Sequence, residues 1–225
     1  MKWGLIALNG EITSLSALKS QIERYSENSD FEKIMGVDGG CQMLVSLNMT
    51  PDIVLGDFDS IGHLNRYKVL WPEAVIKTFP SEKDFTDAEL AFETMLAFDL
   101  DRIMVLGAFG GRADHMLSVI SLVGFHSKFV LIDELNYIEK FEGPFEKRMK
   151  KHDHHNAYIS LLPVQDRLSG ITLTGFKYPL TDATIVMPQT IGISNEIESE
   201  IAVIQVEKGA GFLSISKDRS MVNAI

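Results

Sequence analysis

Residues 103–125 read IMVLGAFGGRADHMLSVISLVGF, and this stretch decides the fold class. The apolar run Ile103–Leu106 has the length and composition of a buried strand. A glycine-rich loop follows it, and Met116–Phe125 then carries apolar side chains at helical spacing. A strand, a short loop and a helix in this order predict one unit of a parallel α/β sheet.

The same alternation extends over the first 133 residues. Further strands are predicted at Trp3–Leu8, Lys33–Val37, Ile53–Leu55, Ala74–Thr78 and Lys128–Ile132. Further helices are predicted at Leu15–Tyr25, Cys41–Leu47 and Ala88–Phe98. The last helix has its own start signal, because Thr86 followed by Glu89 forms a capping box. The sequence predicts a parallel sheet with helices on both faces.

After about Asn136 the pattern becomes β-type, with short runs separated by Gly, Pro, Asn and Asp. Strands are predicted at Tyr158–Leu162, Ile171–Thr174, Ala183–Met187, Ala202–Val206 and Gly211–Ile215, and no helix is predicted among them. The polar stretch Lys147–Asn156 is predicted to be an exposed turn or hairpin tip. We therefore expect an α/β domain over residues 1–134 and an all-β, sandwich-like domain over residues 135–225.

Composition excludes several classes of protein. The chain has 225 residues, of which 45% are hydrophobic and 23% charged, a balance that excludes disordered and low-complexity proteins. The net charge is −10, with nearly all of the acid excess in the first 134 residues, so nucleic acid is not expected as a partner. No run approaches the roughly 18 apolar residues of a membrane span. With Cys41 as its single cysteine, the chain has the features of a cytoplasmic protein.

Four polar clusters each follow a predicted strand. Because the carboxyl ends of parallel strands meet at one edge of a sheet, their side chains are expected to converge there. The clusters are Asp38-Gly39-Gly40, GDFDS at residues 56–60, SEKDFTD at residues 81–87 and GAFGGRADH at residues 107–115. Their aspartates are Asp38, Asp57, Asp59, Asp84, Asp87 and Asp114.

The residue types of these clusters suit a phosphate and a divalent cation. Asp57 and Asp59 are two apart, so in extended backbone they face the same way and can share Mg²⁺, although a plain Asp-Gly turn would have the same sequence. Glycines 107, 110 and 111 allow close approach of a phosphate, although they also suit a tight strand–helix turn. Lys83 can neutralise phosphate charge. The helix start alone accounts for Thr86 and Asp87.

The tract KHDHHN, residues 151–156, contains three histidines and an aspartate, a composition that metal sites also use. Its position in the β region favours an exposed loop.

Taken together and in order, the four clusters resemble the motifs of the thiamine pyrophosphokinase family. A fifth likeness lies in the β region, where GFKYPL at residues 175–180 is followed by GISNE at residues 192–196. The resemblance implies an α/β catalytic domain and a β-sandwich that form a homodimer, with the thiamine site between subunits. It also implies transfer of a diphosphate from ATP to the thiamine hydroxyl, with AMP as leaving group and Mg²⁺ required.

The resemblance further implies roles for individual residues. Asp57, Asp59 and Asp84 would hold Mg²⁺, and Asp38 would hold the ion or orient the attacking hydroxyl. Lys83 and Arg112 would offset phosphate charge, and Asp114 would complete the acidic cluster. ATP would be bound by Gly107, Gly110, Gly111, Arg112 and Asp87. Thiamine would be bound by Tyr178, Ser194 and Asn195, where an aromatic face attracts the cationic thiazolium. Without the resemblance, Tyr178 would be taken as an ordinary strand aromatic.

The residues by themselves are also compatible with three alternative functions. One is a diphosphokinase for another small heterocyclic alcohol, and another is a metal-dependent phosphohydrolase. The third is a regulator that binds nucleotide or thiamine without catalysis.

Overall fold

The computed structural model divides into two compact units. It describes residues 1–27, 29–56, 64–79 and 84–222. Unit 1 comprises residues 1–122 and 128–134, and unit 2 comprises residues 123–127 and 135–225. Within the described ranges, no helix combines the length and the apolar composition that crossing a membrane requires.

The strands and helices of the first 134 residues alternate. They are β1 (Trp3–Ala7), α1 (Leu15–Ser26), β2 (Phe31–Val37), α2 (Gly40–Leu47), β3 (Ile53–Gly56), α3 (Leu64–Leu70), β4 (Val75–Thr78), α4 (Asp87–Leu96), β5 (Arg102–Leu106), α5 (Ala113–Phe125) and β6 (Phe129–Ile132). The six strands pair in parallel in the order β4-β3-β2-β1-β5-β6. The predicted parallel α/β fold is confirmed.

Burial explains why these segments form the sheet. Every residue of β1 and β6 is buried, as is all of β5 after Arg102, which is typical of parallel strands covered on both faces. The predicted helix start at Thr86 is also confirmed, since its hydroxyl accepts a hydrogen bond from the Glu89 N–H at 3.2 Å. On α4, Ala91, Phe92 and Met95 are buried.

Unit 2 contains two antiparallel sheets. Its elements are β7 (Asn136–Glu142), β8 (Phe145–Lys150), a 3₁₀ turn (Lys151–His154), β9 (Tyr158–Pro163), β10 (Arg167–Thr174), β11 (Leu180–Val186), β12 (Ile201–Val206), β13 (Ala210–Ser216) and α6 (Arg219–Val222). One sheet has the order β7-β13-β9 and the other β11-β10-β12-β8. β10 contacts β13 and β11 contacts β9, so the sheets pack on each other. The predicted all-β fold is confirmed.

The prediction of one polar turn over Lys147–Asn156 is wrong in its first part. Lys147–Lys150 belong to β8, which pairs with β12 and buries only Met149. An edge strand with one buried side chain lacks the regular apolar alternation that identifies strands. The remainder, Lys151–Asn156, forms a largely exposed turn as expected. Among the described residues, no group of three or more His, Cys, Asp or Glu side chains could hold a metal ion.

Candidate active site

The loops after β1, β2 and β5 lie side by side at the carboxyl edge of the unit 1 sheet. A Cβ on Gly39 would lie 2.0 Å from Oδ1 of Asn9, and a Cβ on Gly10 would lie 2.4 Å from the carbonyl oxygen of Gly107. The strand order reverses between β1 and β5, since β2 lies on one side of β1 and β5 on the other. Open α/β sheets bind their ligands at such a switch point. Sequence reasoning missed Asn9 and Gly10, because the segment after β1 contains no aspartate and only one glycine.

Glu134 fixes the far end of the loop after β1. Its side chain is buried and accepts hydrogen bonds from the main-chain N–H groups of Thr13 and Ser14, the latter at 2.9 Å. Ser14 in turn caps α1, with its hydroxyl accepting from the Ala17 N–H. A carboxylate next to a helix N-terminus is electrostatically favourable. The loop that carries Asn9 is thus held at its α1 end by a buried carboxylate.

Asp38 directly follows β2 and lies against the end of β3. Its N–H donates to the carbonyl of Leu55 at 2.9 Å, and its backbone adopts a left-handed conformation at φ +45°. A Cβ on Gly56 would lie 1.8 Å from Oδ1 of Asp38. The Asp38 side chain therefore occupies space that only a glycine at position 56 leaves free. Gly56 is also the residue that precedes Asp57.

The first turn of α2 packs closely on β1. A Cβ on Gly40 would lie 1.9 Å from the carbonyl oxygen of Ala7, so only glycine permits this approach. Cys41 follows and is fully buried, with its Sγ 2.8 Å from where a Cβ on Gly36 would lie. Burial, reinforced by the negative charge of Asp38, raises the pKa of the Cys41 thiol to about 12. The cysteine is therefore a protonated core residue at neutral pH.

The glycine-rich loop after β5 requires its glycines for their backbone conformation. Gly107, Gly110 and Gly111 have φ of +69°, +80° and +69°. A Cβ on Gly107 would also lie 2.2 Å from the carbonyl oxygen of Leu8, whereas a Cβ on Gly111 would meet nothing within 4 Å. Gly107 is thus needed for both conformation and space, and Gly111 for conformation alone.

Arg112 and Asp114 form an exposed, two-point ion pair at the start of α5. The guanidinium donates from Nε to Oδ1 at 3.1 Å and from Nη2 to Oδ2 at 2.6 Å. The side chains are 72% and 63% exposed. The hydrogen bond from Arg112 lowers the pKa of Asp114 to about 2, aided by the N–H of His115. Asp114 therefore orients Arg112 here, and its membership of an acidic cluster stays a prediction.

The remaining candidates of unit 1 are only partly described. Asp57, Asp59 and Lys83 lie outside the described residues. Asp84 is exposed before α4, and Asp87 is the half-buried first residue of that helix. Convergence of these side chains with Asp38 stays a prediction.

In unit 2, Asn195 holds the backbone of Tyr178. Its Oδ1 accepts from the Tyr178 N–H at 3.0 Å and the Glu196 N–H at 2.9 Å, and its Nδ2 donates to the Tyr178 carbonyl at 2.8 Å. The Asn195 side chain is buried, whereas Tyr178 is 57% exposed. Neighbouring Ser194 is exposed and donates its N–H to Oγ of Ser160 at 3.0 Å. The three candidates thus lie together, with Asn195 as the support and Tyr178 as the exposed aromatic surface.

Two charged residues that sequence reasoning missed adjoin Tyr178. Lys177 and Glu196 form an ion pair at 2.6 Å, and Nζ of Lys177 lies 5.6 Å from the centre of the Tyr178 ring. Both residues stand within the quoted motifs GFKYPL and GISNE. Their proximity depends on the contact between two segments distant in sequence.

Two protein-family models match different parts of the chain. The family model described as thiamin pyrophosphokinase, catalytic domain, matches residues 23–131. The model described as thiamin pyrophosphokinase, vitamin B1 binding domain, matches residues 147–213. Both models describe parts of one class of enzyme, the kinases that transfer a diphosphate group.

Individual relatives give the same result. Thiamine pyrophosphokinase from Bacillus subtilis is 36% identical over 188 residues, which are 82% of this chain and 87% of that protein. A crystal structure of thiamine pyrophosphokinase from Bacillus subtilis superposes with a TM-score of 0.81 at 31% identity, covering 97% of this chain and 100% of the other. Thiamin pyrophosphokinase from Candida albicans, at 18% identity, shares the fold with a TM-score of 0.75, covering 96% and 89%.

The chain belongs to the thiamine pyrophosphokinase family. It is an enzyme of this kind, with ATP as co-substrate and thiamine as acceptor.

Proposed function

We propose that unit 1 binds Mg-ATP at the carboxyl edge of its sheet and that unit 2 presents thiamine from Tyr178. The thiamine hydroxyl then attacks the β-phosphorus in line, forming thiamine diphosphate and releasing AMP. Such a transfer depends on positioning and charge neutralisation more than on covalent catalysis. The observation that carries the proposal is the meeting of the loops after β1, β2 and β5 at one switch point, with Asp38 against Gly56 at the end of β3.

The glycine-rich loop after β5 is the proposed cradle for the ATP phosphates. The left-handed backbone at Gly107, Gly110 and Gly111 is one that side chains rarely adopt, and at Gly111 nothing lies within 4 Å of where a Cβ would be, which leaves space for a phosphate. Arg112 is 72% exposed at the end of this loop and keeps N–H groups that Asp114 does not use. In this proposal Arg112 and Lys83 offset the charge of the phosphates, and Asp87 binds the nucleotide.

Carboxylates at this edge suit Mg²⁺, which favours oxygen ligands and substrate phosphates. Asp57, Asp59 and Asp84 would hold the ion, and Asp38 would hold it or orient the hydroxyl. One contact supports this assignment: the Asp38 carboxylate lies against Gly56, the residue before Asp57. The bound ion would neutralise charge on the transferring phosphates.

Thiamine is assigned to the exposed ring of Tyr178, with Ser194 beside it and Asn195 as the buried support. The electron-rich face of an aromatic ring attracts a cation such as the thiazolium. This assignment makes residues 1–134 the catalytic domain and residues 135–225 the thiamine-binding domain. A cytoplasmic location is part of the same proposal and is supported by the single cysteine.

We further propose a homodimer with the thiamine site at the subunit interface. Large apolar side chains are exposed in the segment that leads to Ser194 and on adjacent β9. They are Met187 at 52%, Ile191 at 63%, Ile193 at 39% and Leu162 at 38%. Exposed apolar clusters of this kind are typical of interaction surfaces. Sedimentation equilibrium tests the dimer, and Ile191→Asp should shift the protein toward monomer, whereas a monomeric wild type would reject the interface.

The experiment that tests the function is a product analysis with Mg-ATP and thiamine. Equal amounts of AMP and thiamine diphosphate are expected, and both should disappear when EDTA is added. Inorganic phosphate without a thiamine product would indicate the phosphohydrolase, and ligand binding without turnover would indicate the regulator. Competition among heterocyclic alcohols distinguishes thiamine from other acceptors.

The same assay applied to Asp59→Ala tests the acidic cluster. Turnover should be abolished while the far-ultraviolet circular dichroism stays unchanged, because the carboxylate is proposed to hold the metal. Asp30→Ala is the matched control, since Asp30 is exposed and precedes β2, at the sheet edge opposite to Asp38. A near-native rate in Asp59→Ala would remove Asp59 from the mechanism.

A further inference from the structure

Lys177 and Glu196 enclose one side of Tyr178. Nζ of Lys177 lies over the Tyr178 ring at 5.6 Å from its centre and donates to Oε1 of Glu196 at 2.6 Å. The two residues are also joined through the main chain, because the Lys177 N–H donates to the Glu196 carbonyl at 2.9 Å. One face of the ring is therefore occupied by a cation of the protein itself.

Hydrogen bonds fix the backbone segment that carries this ring. Asn195 binds both the N–H and the carbonyl of Tyr178, so the backbone below the ring is fixed on two sides. The bridge between Phe176 and Ile197 continues the pairing of the two segments. We therefore expect a ligand that stacks on Tyr178 to use the face opposite to Lys177.

The charge of Lys177 would oppose a cationic ligand on that opposite face. Lys177 is charged at neutral pH, as any lysine with an ordinary pKa is, and its hydrogen bond with Glu196 raises its pKa further. The phenol of Tyr158 interacts with both members of the pair, and the negative charge of Asp218 raises its pKa. The carboxylate paired directly with Lys177 is that of Glu196.

We propose that the Lys177–Glu196 ion pair is a specificity device for a cationic acceptor. Lys177 lies over one face of Tyr178, and Glu196 neutralises Lys177 so that the other face still accepts the thiazolium. Glu196 is therefore a positioning and charge-compensating residue that acts through Lys177. This inference rests on the proposed binding of thiamine at Tyr178.

Steady-state kinetics of the full-length enzyme test the proposal through Glu196→Gln, which keeps the side-chain shape and removes the charge. The KM for thiamine should rise about three- to fivefold at low ionic strength and less at high ionic strength, because Lys177 is left uncompensated. The KM for ATP should not change, and kcat should change far less than the KM for thiamine. In the double variant Lys177→Met/Glu196→Gln, the KM for thiamine should return toward the wild-type value.

Two controls separate charge compensation from a purely structural role. A neutral thiamine isostere, in which an uncharged ring replaces the thiazolium, should inhibit wild type and Glu196→Gln equally. Glu142→Gln removes the exposed carboxylate of another ion pair of unit 2, Lys140–Glu142 at 2.7 Å, and should leave the KM for thiamine unchanged.

The outcomes also separate this inference from the proposed function. If Tyr178→Ala raises the KM for thiamine but Glu196→Gln does not, the ion-pair role is overturned and the thiamine site stands. If the double variant is no better than Glu196→Gln, the pair has a structural role only. An unchanged KM in Tyr178→Ala overturns both the thiamine assignment and the inference that rests on it.

Discussion

The loops of unit 1 and the Tyr178 segment of unit 2 hold their candidate residues in different ways. In unit 1 the contacts are between main-chain segments, and a Cβ at Gly40 or Gly107 would lie 1.9 or 2.2 Å from a carbonyl oxygen. In unit 2 a side-chain amide, that of Asn195, holds the main chain of Tyr178 through hydrogen bonds. Steric contacts tolerate no added atom, whereas hydrogen bonds tolerate any group that supplies the same donors and acceptors. The first site should therefore be the more sensitive to substitution.

The largest effect is expected from alanine at Gly107, with Gly111→Ala as its matched control. Both glycines have φ of +69°, but only Gly107 lacks space for a Cβ. Gly107→Ala should lower the free energy of unfolding by about 3 kcal/mol or more, since strain and overlap add. Gly111→Ala should cost about 1 kcal/mol from strain alone. Urea denaturation measures both, and equal losses would show that space at Gly107 is not limiting.

A smaller effect is expected from Asn195→Ala in unit 2. The substitution leaves the N–H and carbonyl of Tyr178 without their side-chain partner, which should cost about 2 kcal/mol of stability. The KM for thiamine should rise because the ring loses its support. Gln189→Ala is the control, because exposed Gln189 accepts one hydrogen bond, from Val186, and its loss should cost about 0.5 kcal/mol. Similar losses for the two variants would argue against the proposed supporting role.

The smallest effect is expected from pH at the Arg112–Asp114 pair. The pKa of Asp114 is lowered from 3.8 to about 2, so the pair contributes fully to stability above the ordinary pKa and loses that contribution as pH falls through about 2. Between about pH 5 and 8 the stability difference between wild type and Asp114→Asn should therefore be constant. Urea midpoints across that range provide the measurement, and a difference that changes near neutral pH would contradict the pairing.

Periodicity predicted most of the fold, because buried parallel strands and capped helices leave local signals. The apolar run predicted strand β5, and the capping box at Thr86 predicted the start of α4. The strand β8 was missed because Met149 is its single buried side chain. Local patterns identify an element only when its burial is regular.

The candidate site was less predictable, because its decisive contacts join distant segments. Asn9 adjoins Gly39 through the placement of β1 next to β2, and no local pattern gives strand order. For Asn195, the sequence indicated an amide that binds thiamine. In the structure that amide instead hydrogen-bonds to the main chain of Tyr178. The pairing of Lys177 with Glu196 depends on the same segment contact.

The burial of Cys41 supplies a chemical reporter within unit 1. The chain has a single cysteine, and its thiol is enclosed between β2 and the first turn of α2, close to Asp38. A thiol reagent is excluded by the packing and finds almost no thiolate, so labelling proceeds only when α2 separates from the sheet. The labelling rate of the unmodified protein thus measures the opening of this corner of the molecule. Binding of Mg-ATP at the adjoining loops would be recorded as slower labelling, with no substitution and no turnover required.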